Sequence, residues 1–315
     1  MFFYAMYIFA NIDYLFADWH FMHIHNGERR RMSRASGCAL SAAVLLSGIV
    51  GLMTGAVRAA DVAQVERGKY LVTIGICAAC HTPRDANGEL NWAMRLAGGR
   101  AGALNAPNLT PDPETGLGNW TDDQIVDAIR NGKRPDGSAV RPPMGVFFYR
   151  ELSDRDVRSI VAYLRGLPPV KNRVERATSS NSVSSLPQVS SVAEPNHANS
   201  LRYGQYLAQT VAHCLQCHSP RTNGLPDLSR AGAGGNTYAV PGGGVALSAN
   251  LTPGNPYGIA SWSDEQVKRA ITHGVRPDGT ELVPVMDFEM YAAMSPDDLS
   301  KLVAFLRTLK PVASQ

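Results

Sequence analysis

The sequence has few cysteines, little charge and no stretch with the alternating pattern of a long β-strand. It contains five cysteines, four of which lie in two short motifs, so no pair remains for a disulfide. Charged residues make up 18% and hydrophobic residues 44% of the chain, as in soluble globular proteins. The formal net charge is only +3, without the concentrated basic face that nucleic-acid binding requires. We therefore expect a helical globular protein that binds no nucleic acid.

Two pentapeptides carry the four cysteines: Cys77–His81 (CAACH) and Cys214–His218 (CLQCH). Each is typical of a covalent c-type haem site. Two thiols three residues apart lie on one helical turn, so both can add to the vinyl groups of one porphyrin. The histidine that follows can then bind the iron as its proximal ligand. We predict two covalently attached haem c groups, held by Cys77, Cys80, Cys214 and Cys217, with His81 and His218 as proximal ligands.

Two other kinds of site also use paired cysteines. A thioredoxin-like dithiol needs no following histidine and normally lies near a βαβ pattern, which this sequence lacks. A four-cysteine zinc site would leave both histidines unexplained and would have to join two pairs that lie far apart in the sequence. The repetition of the whole pentapeptide favours haem over both alternatives.

The N-terminal segment has the pattern of a secretory signal. A basic cluster at 29–34 precedes residues 38–57, which carry no charge and end beside small residues suited to cleavage. We interpret 1–59, which includes the fifth cysteine, as a leader, and 1–31 within it as a start-site artefact before Met32. Export to the periplasm follows. The alternative is an uncleaved anchor, since the apolar run can span a bilayer, and this implies association with the cytoplasmic membrane.

The rest of the chain contains an internal repeat. The second copy is longer between its haem motif and the first repeated segment, and the Gly-rich stretch 232–244, a loop by composition, is where the insertion falls. We predict one domain at 60–175, a flexible linker at 176–199 and a second domain at 200–315. The repeated segments, all separated by the same offset in numbering, are Asn108–Pro111 and Asn250–Pro253, Trp120 and Trp262, Arg134–Gly137 and Arg276–Gly279, and Ala162–Arg165 and Ala304–Arg307.

Each copy is predicted to contain three helices and no strand. The first helix runs into the haem motif. The middle helix begins with a capping box at Thr121 or Ser263. The hydroxyl accepts from the backbone, and the side chain of a glutamine three residues later reaches back to the backbone N–H of the capping residue. The last helix begins near Ser153 or Ser295, with apolar residues at helical spacing after it. The sequence therefore predicts an all-α fold.

The sixth ligand of each iron decides its chemistry. A strong protein ligand favours electron transfer, whereas an open position favours gas binding or peroxide chemistry. Met144 and Met286 share the offset of the other repeated segments and follow prolines that stiffen their loops. We predict that these two methionines are the distal ligands. Met290 and Met294 compete in the second copy, but neither has a counterpart in the first.

Several residues near the predicted sites have two interpretations. Tyr149 and Tyr291 either hydrogen-bond near a haem propionate or have a helix-capping or core role. Arg134 and Arg276 either pair with propionates or carry a solvated charge after a helix end. His213 has no counterpart in the first copy and is expected at the surface.

This combination of motifs resembles the multihaem cytochrome c subunits of bacterial periplasmic dehydrogenases. These include the subunits of alcohol, gluconate and aldehyde dehydrogenases and of molybdenum hydroxylases such as the nicotinate and isoquinoline enzymes. The resemblance covers nearly all of 62–312, although such proteins often carry three haem domains and this chain has two. It implies two class I cytochrome c domains in tandem, related by duplication.

The resemblance also implies a role. Such a subunit is not itself an enzyme: it takes electrons from a catalytic dehydrogenase subunit of the flavin, quinoprotein or molybdenum type and passes them to the quinone pool or a terminal oxidase. Two other functions remain open. A diheme peroxidase would need one open iron, which two near-equal copies with a methionine each argue against. A free soluble electron shuttle would have no dedicated partner.

Overall fold

A computed structural model describes residues 61–101, 104–175, 186–240, 243–254 and 258–312. These residues belong to one compact unit of the chain. The predicted leader and Cys38 lie outside the described residues, as does the first part of the predicted linker. Within the described ranges, none of the helices has both the length and the apolar content needed to cross a membrane.

Helices form most of the regular structure in both copies, and the few strands are very short. The first copy contains α1 (61–74), α2 (Cys77–His81), a 3-10 turn (Trp92–Met94), β1 (Gly99–Ala101), β2 (Leu104–Ala106), α3 (Asp122–Arg130), α4 (Val146–Tyr149) and α5 (Asp154–Arg165). The second contains α6 (Ser200–Gln205), a π-helix (Tyr206–Val211), α7 (Cys214–His218), β3 (Arg221–Thr222), β4 (Leu225–Pro226), a 3-10 turn (Leu228–Arg230), β5 (Thr237–Ala239), β6 (Val245–Leu247), α8 (Asp264–His273), α9 (Phe288–Tyr291) and α10 (Pro296–Leu306).

The strands pair as three separate antiparallel hairpins, which the sequence prediction missed. β1 pairs with β2, β3 with β4 and β5 with β6. Between β3 and β4, Asn223 and Gly224 both have positive φ, the combination that a tight two-residue hairpin turn requires. β5 lies in the Gly-rich stretch 232–244 that we expected to be a loop, and β6 follows directly after that stretch. Strands this short cannot show alternation in the sequence.

The helix starts agree with the capping chemistry. Both hydrogen bonds of each predicted capping box are present, at Thr121 before α3 and at Ser263 before α8. Ser153 and Ser295 cap α5 and α10, and each side chain accepts from the backbone N–H three residues later. These predictions are therefore confirmed. They could be made from the sequence because the signal for a helix start is contained within four consecutive residues.

We predicted that the first helix of each copy runs unbroken into the haem motif, and this prediction is wrong. In the first copy, α1 ends at residue 74, and a turn separates it from α2. In the second copy, α6 continues as a π-helix. The offset from Gly68 to Gly204 is one less than the offset between the cysteines, so one extra residue lies between Gly204 and Cys214. The wider π-turn accommodates that residue without moving the motif.

The two copies contact each other through reciprocal hydrogen bonds. Tyr70 in α1 donates to Asp298 in α10 at 2.6 Å, and Tyr206 in the π-helix donates to Asp156 in α5 at 2.7 Å. In both cases the backbone N–H of the serine that caps the same helix donates to the tyrosine oxygen at 3.2 Å. Each tyrosine therefore fastens the first helix of its own copy to the start of the last helix of the other.

Removing either tyrosine hydroxyl is expected to weaken the contact between the copies. Tyr70→Phe removes the acceptor of the Ser295 N–H and the donor to Asp298, and Tyr206→Phe removes the acceptor of the Ser153 N–H and one of the donors to Asp156, which keeps its bonds from Arg67. The free energy of unfolding should therefore fall by about 1–3 kcal/mol. Chemical denaturation measures this change. Tyr163→Phe is the matched control, because its hydroxyl has no hydrogen bond to another described residue, and it should stay within about 0.5 kcal/mol of wild type. Equal effects of all three substitutions would contradict a specific role for the two bonds.

The second part of the predicted linker, 186–199, is held against the first copy. Asn131 donates to the Val189 carbonyl at 3.1 Å and accepts from the Val189 N–H at 2.8 Å. The N–H of Asp154 donates to the Val192 carbonyl at 2.9 Å. These hydrogen bonds hold the backbone of the segment against the first copy. The expectation of a flexible linker is therefore wrong for 186–199.

Candidate functional site

Both haem motifs begin after a sharp change of backbone direction. Ile76 (φ 49°) precedes α2 and His213 (φ 38°) precedes α7, and both lie in the left-handed region. For residues other than glycine this conformation is uncommon, and it persists only where the surrounding structure imposes it. Here it starts a new helical turn at the first cysteine, so that both thiols of each motif lie on the same short helix.

A buried tyrosine fixes the carbonyl just before each motif. Tyr149 donates to the Gly75 carbonyl at 3.1 Å, and Tyr291 donates to the Ala212 carbonyl at 3.3 Å. Burial raises the pKa of both phenols well above the usual value. Both hydroxyls therefore act in the core, where they orient the peptide that leads into the cysteines, and a hydrogen bond near a haem propionate stays a hypothesis.

The thiols differ from those of a dithiol redox site. Burial raises the pKa of Cys77 and Cys214 to about 12. Dithiol oxidoreductases need an attacking cysteine whose pKa is lowered and whose sulfur is accessible. The pKa of these two thiols is shifted in the opposite direction, which argues against the dithiol alternative.

Both motif histidines have the same kind of hydrogen-bond partner, a backbone carbonyl. The Nδ1 atom of His81 lies 2.8 Å from the Pro107 oxygen, and Nδ1 of His218 lies 2.7 Å from the Ala249 oxygen. A carbonyl only accepts, so Nδ1 carries the proton and Nε2 keeps its lone pair for a metal. Burial also lowers the pKa of both imidazoles, which favours the neutral form that binds iron. These carbonyl partners were not anticipated from the sequence.

The repeated Asn-Leu-Thr-Pro segments explain how those carbonyls are held. Asn108 accepts from the N–H and the hydroxyl of Thr110 at 2.9 and 2.8 Å and donates to the Val170 carbonyl at 2.7 Å. Asn250 accepts in the same way from Thr252, at 2.8 and 2.7 Å. Both asparagines are almost fully buried. Each one fixes the turn that begins with the histidine's carbonyl partner.

An arginine from the end of the last helix holds the tryptophan segment in both copies. Arg165 donates to the carbonyls of Leu117 (2.9 Å) and Trp120 and to the Asp122 carboxylate (2.9 Å). Arg307 makes the equivalent three contacts in the second copy. Trp120 and Trp262 are partly buried and pack against the core. The repeated arginine therefore has a structural role that the sequence did not reveal.

One cavity of about 1000 Å³ brings the first set of predicted ligands together. Cys77, Cys80, His81 and Met144 all line it, along with Trp120 and many aliphatic side chains. Its volume is at the upper end of the range for bound cofactors, about 300–1000 Å³. Two thiols, a neutral imidazole, a thioether and an apolar wall fit haem c, which binds through those groups.

Arginines lie on the wall of the same cavity. Arg134, Arg141 and Arg173 line it, together with Glu114 and Glu175. Arg134 also donates to Ser138 at 3.3 Å and to the Ala139 carbonyl, which closes the Arg-Pro-Asp-Gly turn. Pairing of Arg134 with a haem propionate stays one of two interpretations. Its counterpart Arg276 closes the equivalent turn by donating to the Glu281 carbonyl at 2.6 Å.

The cavity of the first copy contains only one member of the second set of predicted ligands. Cys217 lines the cavity of the first copy, but Cys214, His218 and Met286 do not. Met286 is partly buried against the core. The competing methionines, Met290 and Met294, are 6% and 5% exposed and belong to the packed core.

His213 is not a surface residue, and that expectation is wrong. Its ring lies edge-on to Tyr149 with centroids 5.3 Å apart, and it lines the cavity of the first copy. Burial lowers its pKa to about 4. The contact crosses from the second copy to the first, and nothing in the sequence around His213 indicates it.

Comparisons with known proteins agree with this site. A family model described as cytochrome c oxidase, cbb3-type, subunit III matches residues 63–164. A diheme c-type cytochrome of Cereibacter sphaeroides is 31% identical over 271 residues, which are 79% of this chain and 87% of that protein. The chain belongs to this family of c-type cytochromes. Haem c is accordingly the cofactor that the cavity of this cytochrome fits.

Longer relatives match the cytochrome as well. The cytochrome c subunit of a quinone-dependent alcohol dehydrogenase from Gluconobacter oxydans is 29% identical over 88% of the chain, and the fructose dehydrogenase cytochrome subunit of Gluconobacter japonicus is 30% identical over 78%. The matches cover 61% and 52% of those two proteins. The cytochrome thus spans just over half the length of these relatives.

Proposed function

We propose that this cytochrome transfers electrons through two haems, one in each copy. Each bound haem supplies an iron that gains or loses one electron. In this proposal the haems are attached to Cys77, Cys80, Cys214 and Cys217, the proximal ligands are His81 and His218, and the distal ligands are Met144 and Met286. The observation that carries the proposal is the pair of buried histidines, each of which presents Nε2 because Nδ1 donates to a carbonyl.

The second haem site is supported by local geometry that repeats the first. The left-handed residue, the tyrosine bond to the preceding carbonyl, the histidine bond and the asparagine turn all recur, with closely similar bond lengths. This supports two class I cytochrome c domains in tandem, at 60–175 and 200–315, which arose by duplication.

The residues of the chain tune the site in three ways. The carbonyl partner of each histidine fixes the ring and makes it a better donor. The thioether of methionine favours reduced iron and so raises the midpoint potential relative to a second histidine. The apolar wall around Met144 excludes water, which also disfavours the more highly charged oxidised form.

The names of the relatives support a catalytic dehydrogenase subunit as the partner of this cytochrome. Relatives are cytochrome subunits of alcohol, fructose and gluconate 2-dehydrogenases. We infer that this cytochrome is a non-catalytic subunit that accepts electrons from a catalytic dehydrogenase subunit of the flavin, quinoprotein or molybdenum type. Electrons then pass to a quinone or a terminal oxidase. The predicted leader supports a periplasmic location, at the membrane if it is retained.

Carbon monoxide distinguishes this function from a diheme peroxidase. If both irons have a methionine ligand, the reduced protein should show no prompt change in its absorption spectrum when carbon monoxide is added. Met144→Ala is the positive control, because an opened site must bind the gas. Prompt binding by the wild-type protein at one haem would favour the peroxidase.

Mild extraction tests the dehydrogenase role. The full chain, purified from its native membranes or periplasm, should elute with a larger subunit that carries a second cofactor and that reduces the haems when its substrate is added. A cytochrome that elutes alone, and that no co-purified activity reduces, would instead be a free shuttle.

A further inference from the structure

A glutamine in the second haem motif contacts the loop that carries the predicted distal ligand of the first copy. The Nε2 atom of Gln216 donates to the Pro143 carbonyl at 2.7 Å. Pro143 immediately precedes Met144 in the chain. The Oε1 atom of Gln216 is buried without a hydrogen-bond partner among the described residues, and a Cβ on Gly145 would approach it to 2.9 Å. The side chain is therefore packed closely against this loop.

Two prolines limit the backbone hydrogen bonds that this loop can donate. Its two prolines, Pro142 and Pro143, have no N–H to donate, and both are exposed. Within the loop, the Met144 N–H donates to the Arg141 carbonyl at 3.1 Å. The hydrogen bond from Gln216 thus attaches the Pro143 peptide, which directly precedes Met144, to a different part of the fold.

The reciprocal contact is chemically different. The counterpart of Gln216 in the first motif is Ala79, whose side chain has no group to donate, and the counterpart of Gly145 is Asp287. A side-chain hydrogen bond from the middle of a haem motif to a methionine loop is therefore possible only at the loop of the first copy.

We propose that Gln216 is a positioning residue for Met144. It fixes the distal loop of the first copy from the helix to which the second haem is attached. The inference rests on the proposed function, because it takes Met144 as an iron ligand and Cys217 as an attachment point.

Two variants of the full exported chain test this role. Gln216→Met keeps the length of the side chain and loses the donor, and Gln216→Glu keeps the shape and replaces the donor with an acceptor. Both should weaken the Met-to-iron charge-transfer band of the first haem and leave that of the second unchanged. Difference spectra of Met144→Ala and Met286→Ala assign the two bands. Cyanide should displace Met144 roughly tenfold more readily, the effect typical of losing a partner that orients a metal ligand.

The matched control is Gln205→Met. The Nε2 atom of Gln205 also donates to a side chain, Gln209, at 3.0 Å, but Gln205 does not line the cavity. It should change neither band nor cyanide binding. A Gln216 variant with wild-type bands and cyanide affinity would overturn the inference and leave the proposed function intact, and so would equal effects from Gln205→Met. If both bands persist in Met144→Ala, the ligand assignment fails first and the inference fails with it.

Discussion

Replacing Met144 by alanine is expected to remove the Met-to-iron charge-transfer band of one haem and to lower the midpoint potential of that haem. Alanine has no sulfur, so water or an external ligand takes the sixth position, and the preference for reduced iron is lost. The fall should be on the order of 0.1 V, a fraction of the roughly 0.8 V range over which axial ligands set haem potentials. Absorption spectra and a redox titration of the exported protein measure both effects.

Three variants complete this experiment. Met286→Ala should have the same effect on the other haem, and the double variant should lose both bands. Met290→Leu is the control, because Met290 is 6% exposed in the packed core and a swap of similar volume is usually well tolerated. It should keep both bands. If the band persists in Met144→Ala, Met144 is not an iron ligand.

Adding a single methyl group to Gly68 or Gly204 is expected to cause the largest loss of stability. A Cβ on Gly68 would lie 1.8 Å from the Ser159 carbonyl oxygen, and one on Gly204 would lie 2.0 Å from that of Lys301. The obstacle is backbone in both cases, so no side-chain rotation relieves it. Gly68→Ala and Gly204→Ala should therefore each lower the free energy of unfolding by about 3 kcal/mol, the upper end of usual overpacking costs.

Gly166→Ala is the control for this prediction. The nearest atom to a Cβ there is a backbone oxygen at 3.5 Å, an ordinary contact, and the φ of −80° suits any residue. Its free energy of unfolding should change by no more than about 0.5 kcal/mol. Denaturant titrations followed by circular dichroism compare the three variants. Wild-type stability of Gly68→Ala would mean that α1 and α5 do not cross as closely as described.

The features predicted correctly are those whose signal is local. A capping box occupies four residues, and the prediction at Thr121 and Ser263 needs no knowledge of the rest of the fold. The haem motif is likewise complete within five residues. Met144 is far from Cys77 and His81 in the sequence, yet all three line one cavity, and the duplicated pattern together with the preceding prolines marked that methionine in advance.

The features that were missed depend on backbone atoms or on contacts between distant residues. The partner of His81 is a carbonyl 26 residues away, and residue types do not reveal which carbonyl a ring will meet. The Tyr70–Asp298 bond joins residues 228 apart in different copies. His213 was placed at the surface because it lacks a counterpart, yet a packed interface between two unequal copies is where such a residue finds a partner.

One missed feature did have a readable signal. The offset between the copies is smaller by one at Gly68 and Gly204 than at Cys77 and Cys214. A single inserted residue within a continuous helix must be accommodated by a wider turn, and the structure has a π-helix at Tyr206–Val211. Comparing offsets before the motif, as well as after it, would have predicted this element.

The mass of the exported, unfolded chain tests the central claim most directly, because thioether-linked haem stays on the polypeptide after denaturation whereas a non-covalent group is lost. We predict the mass of the processed chain plus two haems, and plus one haem when Cys214 and Cys217 are both changed to serine. A wild-type chain that carries one haem or none would contradict the account.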